Sequence, residues 1–296
     1  MTTLLIIILA YIAVLVILSK TPGNVGKQIG LYSVLILVAL IMLIPFYMMF
    51  VMSTLKTNEI YSFPPVLTFG SNLAKNWENM NKSVDLMRAF GNSCLVTFSY
   101  VALSLLFCSM GGYAFSINDF PGKNSLFRIL LATMMVPATA GMIPWFLMMS
   151  KLGWVNDFKA LIIPGCANAF GIFWMRQYCK NNVPKALMEA ARIDGCSEWT
   201  IFFRVIAPVL LPAYASLGIM NFVNQWNEFT QSLLILKRAK FFTLPLLLRS
   251  MVSDRGNDYG AIMLASTCAV LPLLVIFLFA SKYFMSGLTA GAVKGE

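Results

Sequence analysis

Histidine is absent from all 296 residues. That removes the side chain which most often serves as a general base near neutral pH, and with it most zinc and haem ligation. Charge is scarce too: 11% of residues are Asp, Glu, Lys or Arg, where soluble domains carry about a quarter. With 59% of the chain hydrophobic, too little polar material remains to coat a water-exposed surface, so a soluble enzyme is excluded. Acidic residues are the scarcer sign, 12 against 22 basic, for a net charge of +10. Loop lysines and arginines beside anionic membrane lipid account for that balance, and no nucleic-acid partner is expected. No Cys-x-x-Cys pair occurs among the six cysteines. Cys94, Cys108, Cys166 and Cys268 lie in apolar runs and Cys179 and Cys196 in one polar stretch, so all six are expected as free, small hydrophobes.

Apolar runs, by contrast, are plentiful. A hydrocarbon core about 30 Å thick needs roughly 20 apolar helical residues, and seven stretches come close: 3–19, 29–52, 92–117, 125–150, 158–178, 205–226 and 261–285. Many are continuously apolar, as suits helices facing lipid or one another. The expected fold is therefore an all-α membrane protein. The run at 3–19 has signal-peptide length, but Met1-Thr2-Thr3 carries no positive charge and no small-residue cleavage site precedes Lys20. A retained transmembrane helix is expected there, with residues 1–28 as an extra helix and link ahead of a main domain at 29–296. Pro137, Pro144, Pro164, Pro208, Pro212 and Pro272 fall in the runs; each is open to two readings, a static kink or a gating hinge. Threading the chain with its N-terminus outside puts 20–28, 118–128, 176–204 and 282–296 in the cytoplasm. These stretches hold half of the 22 cationic residues, so the positive-inside rule leans that way without deciding it.

The segment 184–208, PKALMEAARIDGCSEWTIFFRVIAP, is the most informative. Pro184 suits a helix start, Ala186, Leu187, Ala190 and Ala191 are good helix formers, Gly195 falls where the helix stops, and Ser197 can cap a second helix. A helix, a tight turn and a second helix running through Trp199, Phe202 and Phe203 are expected between two spans. Glu189, Arg192, Asp194 and Glu198 alternate with small alanines, a surface able to press closely on another protein. Glu189-Ala190-Ala191, then Gly195, then Val205-Ile206-Ala207-Pro208, resembles the EAA loop of bacterial ABC importer membrane subunits, with Val205 and Ala207 departing mildly from the usual Ile-x-Leu-Pro. Asp194-Gly195 after Ala191-Arg192-Ile193 is similar to the carbohydrate-uptake, MalG-like branch. Phe120-Pro121-Gly122-Lys123, Trp226-Asn227-Glu228-Phe229 and the tail Gly287–Gly295 agree.

The resemblance spans roughly 29–296 and implies a six-helix type I, MetI-like permease core, with the helix at 3–19 outside the pattern. It implies further that the chain pairs with a second related permease, sits on two cytoplasmic ATPase subunits that bind ATP and magnesium, and receives a sugar from an extracytoplasmic solute-binding protein. No cofactor is implied on this chain. The EAA loop would be the coupling element, with Glu189, Ala190, Ala191, Asp194 and Gly195 at the ATPase: Glu189 pairing with a cation there, the alanines permitting close approach and the glycine the turn. The tail at 286–296, with Ala292, Val293, Lys294 and Gly295, would insert between the ATPases. A loop in the cytoplasm fixes the N-terminus outside and the C-terminus inside a bacterial cytoplasmic membrane.

Two external sites follow by position. Asp254, Arg255, Gly256, Asn257 and Asp258 match a segment that reaches towards the binding protein, or form an ordinary solvated turn. Asn221, Asn224, Gln225, Trp226 and Asn227 place amides and one aromatic face at the outer end of the sixth run. Amides exchange hydrogen bonds with hydroxyls and Trp stacks on sugar faces, but the same groups also pack helices together. The Lys237-Arg238-Lys240 cluster reads as a solvated rim or as a preference for acidic glycans. Gly122-Lys123 is no phosphate loop, because Ile117 and Asn124 stand where Gly and Ser/Thr are required. Met134, Met135, Met142, Met148 and Met149 read as adaptable packing. A glycerol-phosphate-type permease is the nearest alternative. An ion-coupled carrier is disfavoured by the near absence of mid-span carboxylates, and an intramembrane enzyme by the missing histidine.

Overall fold

The computed structural model describes residues 24–252 and 257–292, with side chains from 28 to 278 apart from Lys185. The run expected at 3–19 lies outside the described residues, as do Asp254, Arg255, Gly256, Val293, Lys294 and Gly295. Every regular element among the described residues is helical. They form α1 (Asn24–Met52), α2 (Leu73–Ser83), α3 (Leu86–Ile117), α4 (Lys123–Thr133), α5 (Met142–Lys151), α6 (Ala169–Asn182), α7 (Lys185–Ile193), α8 (Glu198–Val209), α9 (Leu211–Trp226), α10 (Leu244–Ser250) and α11 (Tyr259–Ala292), with short helical turns between them.

Two compact units result. The first takes in the described residues up to Trp77 together with Tyr259–Leu264. α1 begins at Asn24, about a turn earlier than the apolar run, and leaves Leu35, Ile36, Leu40, Ile41, Leu43 and Ile44 exposed, as a helix facing lipid should. Its end is locked by buried Asn76, whose Nδ2 donates to the carbonyls of Ser53 (2.8 Å) and Leu55 (2.9 Å). The second unit comprises Glu78–Asp258 and the chain from Ala265 onward. At its centre, α3 packs along α6 and α9. A Cβ on Gly112 would stand 2.5 Å from Met175 Cβ and 2.7 Å from the Arg176 nitrogen, so the two backbones meet closely only because that position is glycine.

The expected six runs do not become six straight spans. Gln28–Met52, Leu86–Ile117 and Tyr259–Leu278 are long and apolar enough to cross a membrane unaided. The run at 125–150 is bent by 91° between Lys123–Thr133 and Ala138–Lys151. Pro137, with ψ 127, caps the new turn there, and the residue before a proline is pushed out of helical geometry. The run at 205–226 is bent by 78° between Glu198–Val209 and Leu211–Trp226. Pro212 lacks the N–H that would bond the Pro208 carbonyl, and just before it the Leu210 nitrogen is shared between the Ile206 (3.2 Å) and Ala207 (3.1 Å) carbonyls. The run at 158–178 is split into Lys159–Ile162 and α6. Between them lie Pro164 and Asn168, whose side chain caps α6 by accepting from the Gly171 nitrogen at 2.7 Å. Pro272 and Pro45 sit inside continuous helices. α11 continues past the expected 285 to Ala292.

Candidate functional site

The elbow at 184–208 forms as its residues dictate. Pro184 takes the capping position just before α7, with φ −66 and ψ 133, one place ahead of the expected first helical residue. α7 closes in a Schellman motif: the Cys196 nitrogen bonds the Ala191 carbonyl and the Gly195 nitrogen the Arg192 carbonyl, both at 3.0 Å. Gly195 adopts φ +76, a left-handed conformation that side chains bearing a Cβ resist. Ser197 then caps α8, its Oγ accepting from the Thr200 nitrogen. α8 contains a π-helical turn at Ile201–Ile206, a local widening often found where helices do functional work.

One face of this elbow is anchored in the chain itself. Met188, Ala191, Ile201, Phe202 and Ile206 join Tyr113, Cys179 and Val183 in a buried cluster. Arg192 Nε donates to Glu198 Oε1 at 2.8 Å, and the Tyr113 hydroxyl donates to Glu198 Oε2 at 3.2 Å, tying both arms of the elbow to α3. The Arg192 hydrogen bond holds the Glu198 carboxyl below the usual carboxylate range and raises the guanidinium in turn. Ala191, expected at the ATPase surface beside Ala190, is 8% exposed and packs inward beneath its own loop. Its place one turn after Met188, on the same inner face of α7, explains why.

The opposite face is open. Glu189, Ala190 and Asp194 are exposed, as expected for a docking surface, and so are Leu187, Ile193 (86%), Trp199 (63%) and Phe203. Trp199 stacks on Phe203 with ring centroids 6.2 Å apart. From the sequence, Leu187, Trp199 and Phe203 read only as helix positions, and Ile193 not at all as a contact. The signal for Ile193 was its position at the last turn of α7, outside the buried Met188–Ala191 stripe.

The amides of the sixth run divide into two groups. Asn221 (6% exposed) donates to Ser104 Oγ at 2.9 Å, and Ser104 Oγ also accepts from Asn168 Nδ2. Trp226 (2% exposed) stacks on Phe222 and donates to the Ala269 carbonyl at 3.2 Å. Asn227 bonds back to the Val223 carbonyl. For Asn221 and Trp226 the packing reading fits this geometry: the Asn221 amide nitrogen and the Trp226 N–H are both used inside the bundle. Asn224 and Gln225 differ. With Tyr100, Trp145, Glu228 and Gln231 they line a cavity of about 300 Å³.

α3 sets the distance between these features. Asn92, near its start, donates to the carbonyls of Lys240 and Phe242, while Tyr113, near its end, holds the elbow. The two positions are about 30 Å apart at 1.5 Å per residue, the thickness of a hydrocarbon core. The exposed Lys237-Arg238-Lys240 cluster and the elbow therefore sit at opposite ends of one membrane-long helix. The Lys237 and Arg238 nitrogens both donate to Asn156 Oδ1. Of the segment 254–258 the described residues are Asn257 and Asp258; Asp258 Oδ2 accepts from Asn79 Nδ2 at 2.7 Å. The six cysteines are free thiols.

Residues 109–289, which include the elbow, match the family described as "Binding-protein-dependent transport system inner membrane component". The arabinooligosaccharides transport system permease protein AraQ of Halalkalibacterium halodurans is 41% identical over 206 residues, 70% of this chain and 74% of that protein. The lactose transport system permease protein LacG of Rhizobium radiobacter is 34% identical over 263 residues, 89% of this chain and 95% of LacG. In fold, the chain matches a solved bacterial ABC transporter involved in the import of alginate, with a TM-score of 0.78 and 23% identity, covering 90% of this chain and 99% of that one. The chain belongs to the binding-protein-dependent inner-membrane component family. It is a multi-pass permease subunit of an ABC importer.

Proposed function

We propose that this permease forms half of a translocation path for a sugar or oligosaccharide and is driven through the elbow at 184–208. Relatives named for arabinooligosaccharides, for lactose and for melibiose, raffinose and stachyose support carbohydrate over the glycerol-phosphate alternative. The partners in this reading are a second permease, two cytoplasmic ATPases that bind ATP and magnesium, and an extracytoplasmic binding protein. The observation that carries the coupling role is the two-faced elbow. Its inner face is bolted to α3 by Tyr113, Glu198 and Arg192, while its outer face shows Glu189, Ala190, Ile193, Asp194 and Trp199. Such a piece moves as a rigid lever when its outer face is gripped. Glu189 would meet a cation on the ATPase, since an unpaired buried charge is costly, and Ile193 and Trp199 would fill apolar hollows. Ala292, Val293, Lys294 and Gly295 would reach between the ATPases, and Asp254–Asp258 towards the binding protein.

The chain then runs with its N-terminus outside and its C-terminus in the cytoplasm. The test is the assembled transporter carrying Glu189→Lys or Gly195→Pro. The permease should remain in the membrane, while sugar uptake falls at least about tenfold and binding protein no longer stimulates hydrolysis. Normal uptake with the ATPases bound would refute the role.

A further inference from the structure

We infer that the cavity beside α9 is a charge-selective subsite, in which Glu228 admits neutral or cationic hydroxyl-rich ligands and repels anionic ones. The inference rests on the reading of the chain as half of a translocation path. The wall is chemically uneven in a telling way. Tyr100 supplies a phenol, Trp145 an indole, and Asn224, Gln225 and Gln231 three amides, the groups that trade hydrogen bonds with hydroxyls and cover a sugar's apolar face. Among the described residues Glu228 carries the only charge on that wall, with no lysine or arginine beside it, and the carboxylate is held by the Gln231 backbone nitrogen, which donates to its Oε1 at 2.7 Å.

The volume of about 300 Å³ lies at the lower end of ligand pockets, enough for one sugar ring. Depth agrees as well. Tyr100 sits about two turns along α3 from Asn92 and well short of Tyr113, so the half-open cavity lies within the membrane-spanning length, nearer the basic end. Inside such walls a carboxylate's field is screened less than in bulk water. A cleft lined by one sign of charge concentrates counter-ions by about tenfold to a thousandfold. An anionic ring entering here meets repulsion with no compensating cation, whereas a neutral ring finds five hydrogen-bonding side chains.

The test needs no knowledge of the sugar. In the assembled transporter carrying Gln231→Cys, residue 231 is reacted with three methanethiosulfonates, one bearing trimethylammonium, one sulfonate and one a neutral hydroxyethyl group. Rates are read at that residue by mass spectrometry and divided by those of a small thiol in solution. The normalised cation-to-anion ratio should be at least about tenfold, and Glu228→Gln should return it to near unity while the neutral reagent's rate is unchanged. Asn224→Cys gives a second position should the first variant not assemble. A ratio near unity, a ratio unmoved by Glu228→Gln, or no reaction with the neutral reagent at either position would each overturn the inference. The reading of the chain as a coupled permease fails differently, by normal uptake in the elbow variants.

Discussion

Glu198 shows how much one side chain can organise. Its two oxygens collect Arg192 from α7 and Tyr113 from α3, so ionisation of this group joins three helices. Because the folded carboxyl is held below its ordinary range by Arg192, its contribution is present above the usual carboxylate pKa and is lost as pH falls through the depressed value. Exposure of both partners keeps the effect small. Glu198→Gln at neutral pH should therefore raise hydrogen exchange in peptides spanning 185–206 by a few-fold, matching the native chain only once pH has fallen through the depressed pKa of Glu198, with α9 unchanged. Equal exchange in the two proteins at neutral pH would show that the brace contributes nothing. Gly195 acts at the same scale: its φ of +76 makes Gly195→Ala cost about 1–2 kcal/mol, seen as a lower melting temperature, although nothing stands within 4 Å of the new Cβ.

Helix against helix, space decides more than composition. Gly112 and Gly91 both belong to α3, and no sequence pattern separates them. Gly112→Ala would force its Cβ onto Met175 and should destabilise by about 1–3 kcal/mol, as overpacking does. Gly91 has nothing within 4 Å, so Gly91→Ala should be neutral or stabilise by up to about 1 kcal/mol. Thermal unfolding of the two variants in one detergent checks the pair, and equal shifts would contradict the packing described. Trp226 belongs here too. Its ring is fully packed and its N–H is used by Ala269, so Trp226→Ala should cost about 3–5 kcal/mol, a stability loss rather than a change of sugar preference. The prolines were visible as interruptions, but whether each makes a kink or a corner was not. Pro272 leaves α11 continuous, whereas Pro137 and the Pro208/Pro212 pair stand at bends of 91° and 78°. A missing N–H is a local fact; whether neighbouring helices hold the chain straight is a tertiary one.

For the whole molecule, α3 acts as a ruler, with the elbow at one end and the basic cluster at the other. In intact cells, a cysteine replacing Lys240 should react with a membrane-impermeant maleimide, and one replacing Asp194 should react only after the membrane is opened. The reverse pattern would invert the proposed topology. Periodicity and composition alone determined that the chain is helical and membrane-embedded, because continuous apolar runs and a dearth of charge leave no other solvent for it. The 184–208 pattern likewise determined its own turn, since capping, a left-handed glycine and a second cap are local interactions within a few residues. Which alanine of the Ala190-Ala191 pair faces inward, that Asn221 is consumed by Ser104, and that Glu228 shares a cavity with Tyr100 and Trp145 were decided only by the fold. Those outcomes depend on contacts between segments a hundred or so residues apart, and burial and hydrogen-bond pairing at that range are not written in any one segment.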